Sequence, residues 1–176
     1  MHSPPLPPQE TVVFETKWFN IISRRAADSP DPHYVIGSPD FAVVIPLDVN
    51  ENFLLVRQYR HGVQAHTLEF PSGHVEIGET PEEAARKELL EETGFVAEVF
   101  EPLRNFSAST ARFSNQVWSY IARNARPQPH AVIEPGLELV IYTRGLRALV
   151  EEKEFCNAVH YGAICTAMLN GKLRAS

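Results

Sequence analysis

The sequence predicts an α/β (α+β) fold, a mixed β-sheet flanked by helices and preceded by a small N-terminal strand pair. Three observations carry this. Strand-like and helix-like segments follow one another without the regular alternation of a repeated βα unit, and no internal repeat is present. Two continuous apolar runs, Phe41 to Pro46 and Phe53 to Arg57, have the composition of strands buried on both faces. One segment, Thr80 to Gly94, carries matching start and stop signals for a helix.

Taken in order, residues 1–10 are rich in proline and predict a disordered lead-in. Residues 11–40 are expected to hold the N-terminal strands, a possible dimerisation element. There, Thr11 to Ile22 interleaves aromatic and β-branched residues with polar ones, and Tyr34 to Gly37 resumes the pattern after the breakers Asp28-Ser29-Pro30-Asp31-Pro32. This reads as a strand pair with a loose connection. Residues 41–176 form the main domain. Its two apolar runs are separated by Asp48-Val49-Asn50-Glu51-Asn52, a hairpin-turn composition. Further strands are expected at Val96 to Phe100, Gln116 to Ala122 and Leu137 to Thr143, with helices at Pro81 to Glu92, Leu146 to Lys153 and Asn157 to Leu169.

Composition excludes several function classes. With 176 residues, 44% of them hydrophobic, the chain has the size and balance of one globular domain. Its net charge of −6 offers no basic field for a phosphate backbone, so nucleic acid is not an expected partner. No apolar run is long enough to span a bilayer and the start lacks a signal-peptide pattern, which predicts a cytoplasmic protein with no membrane contact. Cys156 and Cys165 are too far apart for a CxxC motif and are expected to be buried small apolar residues.

The chemistry concentrates between Leu68 and Phe95. Thr80 can cap the helix, Pro81 suits its first turn, Glu83 completes a capping box, and Gly94 supplies the left-handed stop. Within it Glu88, Glu91 and Glu92 stand at i, i+3 and i+4, which places three carboxylates on one face. Like charges at this spacing repel, so the cluster asks for cations, and hard divalent ions, Mg²⁺ first and Mn²⁺ next, suit several close carboxylates. A solvated acidic face is the ordinary alternative.

The whole spacing closely resembles the Nudix box: Gly73, five residues, Glu79, seven residues, Lys87-Glu88-Leu89, one residue, Glu91-Glu92, one residue, Gly94-Phe95. The preceding Val56-Arg57-Gln58-Tyr59-Arg60 and Leu68-Glu69-Phe70-Pro71-Ser72-Gly73 resemble the branch that hydrolyses ADP-ribose and nucleoside diphosphate sugars. The resemblance implies a Nudix-type α/β/α sandwich and a Mg²⁺-dependent hydrolase. It implies attack of water on a diphosphate, yielding a nucleoside monophosphate and a sugar phosphate, and a homodimer.

By that resemblance Glu88 and Glu92 are the primary metal ligands, Glu91 is a ligand or support, and the Ser72 backbone carbonyl is a further ligand. Gly73, Glu79 and Lys87 support them. Lys87 departs from the family's usual Arg, replacing a planar fork by a point charge, and Arg86 projects too far round the helix to stand in for it. Arg60 and Glu69 fall among the substrate-binding residues, and Trp18 resembles an aromatic that stacks on the base, with a core Trp as the alternative. The general base is expected from the loop after the box, where Glu134 and then Glu138 are candidates. His61, His66 and His74 have no zinc spacing and are expected to be solvated. The Ser107 to Ser114 segment lacks the proline usual in ADP-ribose enzymes, which leaves other nucleotide sugars open. A sensing domain without turnover, and a Nudix hydrolase of another nucleotide class, are the other readings.

Overall fold

The computed structural model describes residues 9–26 and 29–175. The chain divides into two units. The first comprises residues up to Pro39 together with Ser107–Gln116, and the second Asp40–Phe106 with the chain from Val117 onward.

The first unit is an antiparallel sheet of β1 (Gln9–Glu15), β2 (Asn20–Arg25) and β3 (His33–Gly37), in that order. Sequence alone suggested two strands here, because the turn between β1 and β2 contains neither Gly nor Pro. Thr16 makes it instead. Its hydroxyl accepts the N–H groups of Trp18 and Phe19 and donates to the Phe19 carbonyl at 2.7 Å, while its own N–H reaches the same carbonyl. Gln9 and Glu10, expected in the lead-in, open β1; residues 1–8 lie outside the described part. The 107–116 segment is tied to β3. Ile36 N–H donates to the Arg112 carbonyl and the Ile36 carbonyl accepts from Ser114 N–H, while Asn115 donates to the Pro39 carbonyl.

The second unit is built on β4 (Phe41–Asp48), β5 (Phe53–Arg60), β6 (Ala65–Glu69) and β7 (Ser72–His74), followed by α1 (Pro81–Thr93). Then come β8 (Phe95–Val96), β9 (Phe100–Phe106), β10 (Val117–Pro127), β11 (Glu138–Tyr142), α2 (Gly145–Glu151) and α3 (Ala158–Leu169). The sheet path is β11-β5-β4-β10-β8, with β6 on β5, β7 on β4 and β9 on β10. It is mixed because β4 and β10 run parallel while the other pairs are antiparallel.

The continuous apolar run of β4 is explained by alternation between two cores. Ala42 and Val44 face α1, packing with Ala84, Ala85 and Leu89 and with Tyr120 and Ala122 of β10. Val43, Ile45 and Leu47 face the other way, onto Leu146 and Leu149 of α2 and Ala163, Ile164 and Ala167 of α3. The expected hairpin after β4 is present, clamped by the Asp48 carboxylate, which accepts the N–H groups of Asn50 and Asn52 at 2.8 and 2.9 Å.

Three differences from expectation follow from geometry. The single strand expected at Val96 to Phe100 is two, β8 and β9, separated by a break. The short β6 and β7 carry too little periodicity to announce themselves. Cys156 and Cys165 are exposed, since the buried stripe of α3 is His160, Ala163, Ile164 and Ala167, and Cys165 lies off it. Among the described residues no helix is long and apolar enough to cross a membrane.

Candidate active site

The helix α1 places the box residues, and its ends are as the sequence implies. Thr80 Oγ1 accepts Glu83 N–H at 3.2 Å, Glu83 returns the bond to Thr80 N–H at 2.8 Å, and Gly94 adopts φ 74°. On the face toward β7, Glu92 is buried at 6% exposure and its Oε2 accepts Ser72 N–H at 2.9 Å. Glu88 is half-buried and lies against Gly73. A Cβ added there would sit 2.1 Å from Glu88 Oε1, so any side chain in place of the box glycine would displace the carboxylate. Glu91 is exposed at the side of this pair.

Glu88 and Glu92 stand in an environment that disfavours their charge. Burial pushes Glu88 up to about 7; Lys87 opposes the rise, and Glu91, Glu134 and Glu79 add to it. Burial pushes Glu92 up to about 8 against the Ser72 N–H, with Glu88 and Glu134 adding to the rise and Arg60 opposing it. The neighbouring cations are committed elsewhere. Lys87 Nζ bridges Glu76 at 3.1 Å and Glu79 at 3.2 Å, and Arg60 forks onto Glu69.

Lys87 therefore reaches the box glutamate Glu79, whose Oε2 also accepts Glu76 N–H at 3.0 Å. Arg86 turns away as expected, binding Glu82 and the carbonyls of Ala97 and Glu98.

The loop after β10 is moored to the C-terminal end of α1. Gln128 N–H donates to the Gly94 carbonyl and Glu134 N–H to the Glu91 carbonyl, both within 2.9 Å. This mooring brings Glu134 into electrostatic reach of Glu88 and Glu92. Glu138, the second candidate for the base, lies opposite Arg57 in the β5–β11 register and ion-pairs with it at 3.7 Å.

Two of the expected substrate-binding residues sit in contrasting surroundings. Glu69 was placed among the substrate-binding residues, yet it is 2% exposed and its oxygens are taken by this chain. Arg60 Nε and Nη2 donate to it at 2.9 and 2.7 Å, Thr67 Oγ1 at 2.6 Å, and His160 Nε2 lies at 3.3 Å. Burial alone would raise its pKa, but these bonds, Arg60's first, hold it well below the usual carboxylate range. Trp18 is not a core residue. In the first unit it is 64% exposed, with the Lys17 ammonium 4.6 Å from its ring centroid, and it lines a cavity of about 470 Å³ with Thr16, Asn20, Ile22 and Ser114. His61, His66 and His74 are exposed, as expected.

Among the described residues no three His, Cys, Asp or Glu side chains are gathered into a ready-made metal cage. The donor chemistry nonetheless fits a hard divalent cation, since Glu88 and Glu92 are carboxylates held close to each other and to Glu134, while the Lys87 ammonium and the Arg60 fork are bonded to other carboxylates.

A family model described as the NUDIX domain matches residues 38–140. The chain belongs to the Nudix family. It is 33% identical over 94 residues to "ADP compounds hydrolase NudE" of Escherichia coli (strain K12), covering 53% of this chain and 50% of that protein. It is 50% identical over 52 residues to "ADP-sugar pyrophosphatase" of Mus musculus, covering 30% of this chain and 24% of that one. The chain thus spans half or less of the length of these curated relatives. A solved structure titled "Crystal structure of ADP compounds hydrolase" matches with a TM-score of 0.77 and 23% identity over 98% of this chain and 100% of the other, which shows the shared fold. The mixed sheet between α1 and the α2–α3 layer is accordingly a Nudix fold.

Proposed function

We propose that this protein is a hydrolase of the diphosphate linkage in ADP-ribose or a related nucleoside diphosphate sugar, releasing a nucleoside monophosphate and a sugar phosphate. The observation that carries this reading is the group of Glu88 and Glu92 on α1 with Glu134 on the moored loop beside them. The relatives named for ADP compounds and ADP-sugars support the substrate class.

Glu88, Glu92 and the Ser72 carbonyl, with Glu91 at their side, are the residues that would hold Mg²⁺ or Mn²⁺. Bound there, such an ion would lower the pKa of the attacking water and neutralise the diphosphate. Glu134 is the base in this reading, taking a proton from the water from a position that needs no other role for its carboxylate. Arg60 offers a guanidinium to a substrate phosphate. Trp18 offers an exposed ring to the base, and the exposed Val12, Val13 and Phe14 of β1 support assembly as a homodimer. Nothing in this chemistry requires a nucleic acid or a membrane, and the cytoplasm is the compartment proposed.

The test is a product assay with Mg²⁺ and ADP-ribose or GDP-mannose, with Glu92→Gln alongside. AMP or GMP plus a sugar phosphate is expected from the parent protein, with kcat reduced about 10³-fold or more in the variant. Absence of turnover on both substrates would overturn the reading.

A further inference from the structure

His160 is fully buried in the first half of α3, on a face it shares with Ala163, Ile164 and Ala167, and the hydrolytic reading gives it no task. Its ring packs edge-on against Phe70 at 5.6 Å and beside Phe155 at 5.9 Å. Nε2 faces Glu69 Oε2 at 3.3 Å, while Nδ1 is buried without a hydrogen-bond partner. Burial lowers the pKa of the imidazole, which is therefore neutral near pH 7. The neutral ring has a single N–H, and facing a carboxylate that N–H belongs on Nε2, so His160 is a donor to Glu69. A buried aromatic cluster would accept a phenylalanine at this position without the cost of an unpaired nitrogen.

Glu69 gathers donors from three elements. Arg60 comes from β5 and Thr67 from β6. Asn157, which caps α3 through Val159 N–H, places its Nδ2 at 3.5 Å, and His160 follows on the same helix. The Arg60 side chain is 42% exposed, while its fork rests on a carboxylate that is 3% exposed. The guanidinium is thus held by a buried group that is itself held from α3, and it is in electrostatic reach of Glu92.

We propose that His160 is a positioning residue for Arg60, acting through Glu69, so that the first turn of α3 sets the orientation in which this arginine meets a substrate phosphate. The role at the phosphate rests on the hydrolytic reading above; the orientation of Arg60 does not. Two features suit the role. The imidazole is rigid where a lysine or glutamine would be mobile, and it is neutral, so it steadies Glu69 without competing with Arg60 for the carboxylate's charge.

The experiment uses the full chain with His160→Phe, which keeps the ring in its cluster and removes the donor, and His160→Gln, which restores an N–H near the Nε2 position. The first readout is the ¹⁵N-resolved Arg60 Nε–H signal, which does not depend on activity. It is expected to be slow to exchange in the parent protein, to lose that protection about tenfold in His160→Phe and to regain it in His160→Gln. An unchanged signal in His160→Phe would overturn the proposal, whatever the substrate proves to be. The second readout is a double-mutant cycle with Arg60→Gln on KM for ADP-ribose. His160→Phe alone is expected to raise KM several-fold with little change in kcat, and to add less than about twofold once Arg60 is gone. Full additivity would overturn the proposal, because it would leave His160 as a packing residue. If His160→Phe does not fold, His160→Gln against His160→Leu provides the same contrast.

Discussion

Two buried carboxylates, Glu69 of β6 and Glu92 of α1, are treated in opposite ways. Glu69 is supplied by a bidentate arginine, a hydroxyl and an imidazole, and its pKa falls below the ordinary range. Glu92 is as deeply buried, receives one backbone N–H, and burial pushes it up to about 8. Burial is common to both, so the neighbours decide the sign. A carboxylate whose partners lie within the chain is part of the scaffold. One whose nearest charges include further carboxylates is left with its charge largely uncompensated.

The contrast breaks most visibly in stability. Glu69→Ala is expected to lower the unfolding free energy by about 3–5 kcal/mol, because it strands Arg60 and His160. Glu92→Gln is expected to leave it nearly unchanged, because a carboxyl pushed up to about 8 is mostly protonated at pH 7 and the amide replaces one neutral group by another. Urea melts of the two variants at pH 7 check both. The Glu69 contribution is present above its unfolded pKa of 4.5 and is lost as the pH falls through the lowered folded value, so the gap between parent and Glu69→Ala should persist well below pH 4.5.

A smaller effect is expected at Gly73, where a methyl group would meet Glu88. Gly73→Ala should lower kcat/KM about 10- to 100-fold by displacing that carboxylate, with a shift in Tm of only a few degrees. The smallest concerns Lys87, which divides one ammonium between Glu76 and Glu79. Lys87→Arg offers a planar fork to Glu79 and is expected to raise kcat about 2- to 5-fold at constant KM. A lower kcat would show a site shaped around the lysine.

How much of this was legible in the sequence depends on how local the determinants are. The caps of α1 are written within four residues of each end, and the i, i+3, i+4 spacing puts Glu88, Glu91 and Glu92 together without reference to any other element. The two-sided burial of β4 follows from its unbroken apolar run. The turn at Thr16 escaped because a hydroxyl made it where Gly or Pro would have announced it. The surroundings of Glu69 escaped for a different reason. Its partners Asn157 and His160 come from the far end of the chain, and nothing in the spacing of Leu68 to Gly73 shows that α3 will cover that motif. The sequence put Glu134 ahead of Glu138 only by its place in the loop; the bond from Glu134 N–H to the Glu91 carbonyl and the pairing of Glu138 with Arg57 depend on contacts between elements that the sequence does not spell out.

The 107–116 segment, whose backbone completes the outer hydrogen bonds of β3, has a consequence for the order of synthesis. Strands β1 to β3 leave the ribosome before the second unit, yet their last partners follow only after β4 to β9 and all of α1 have emerged. At about 5–20 residues per second that interval is roughly 4–15 s, long compared with the microseconds in which a hairpin forms. The nascent first unit spends those seconds with the edge of β3 open, so a unit begun before β4 is completed only after β9.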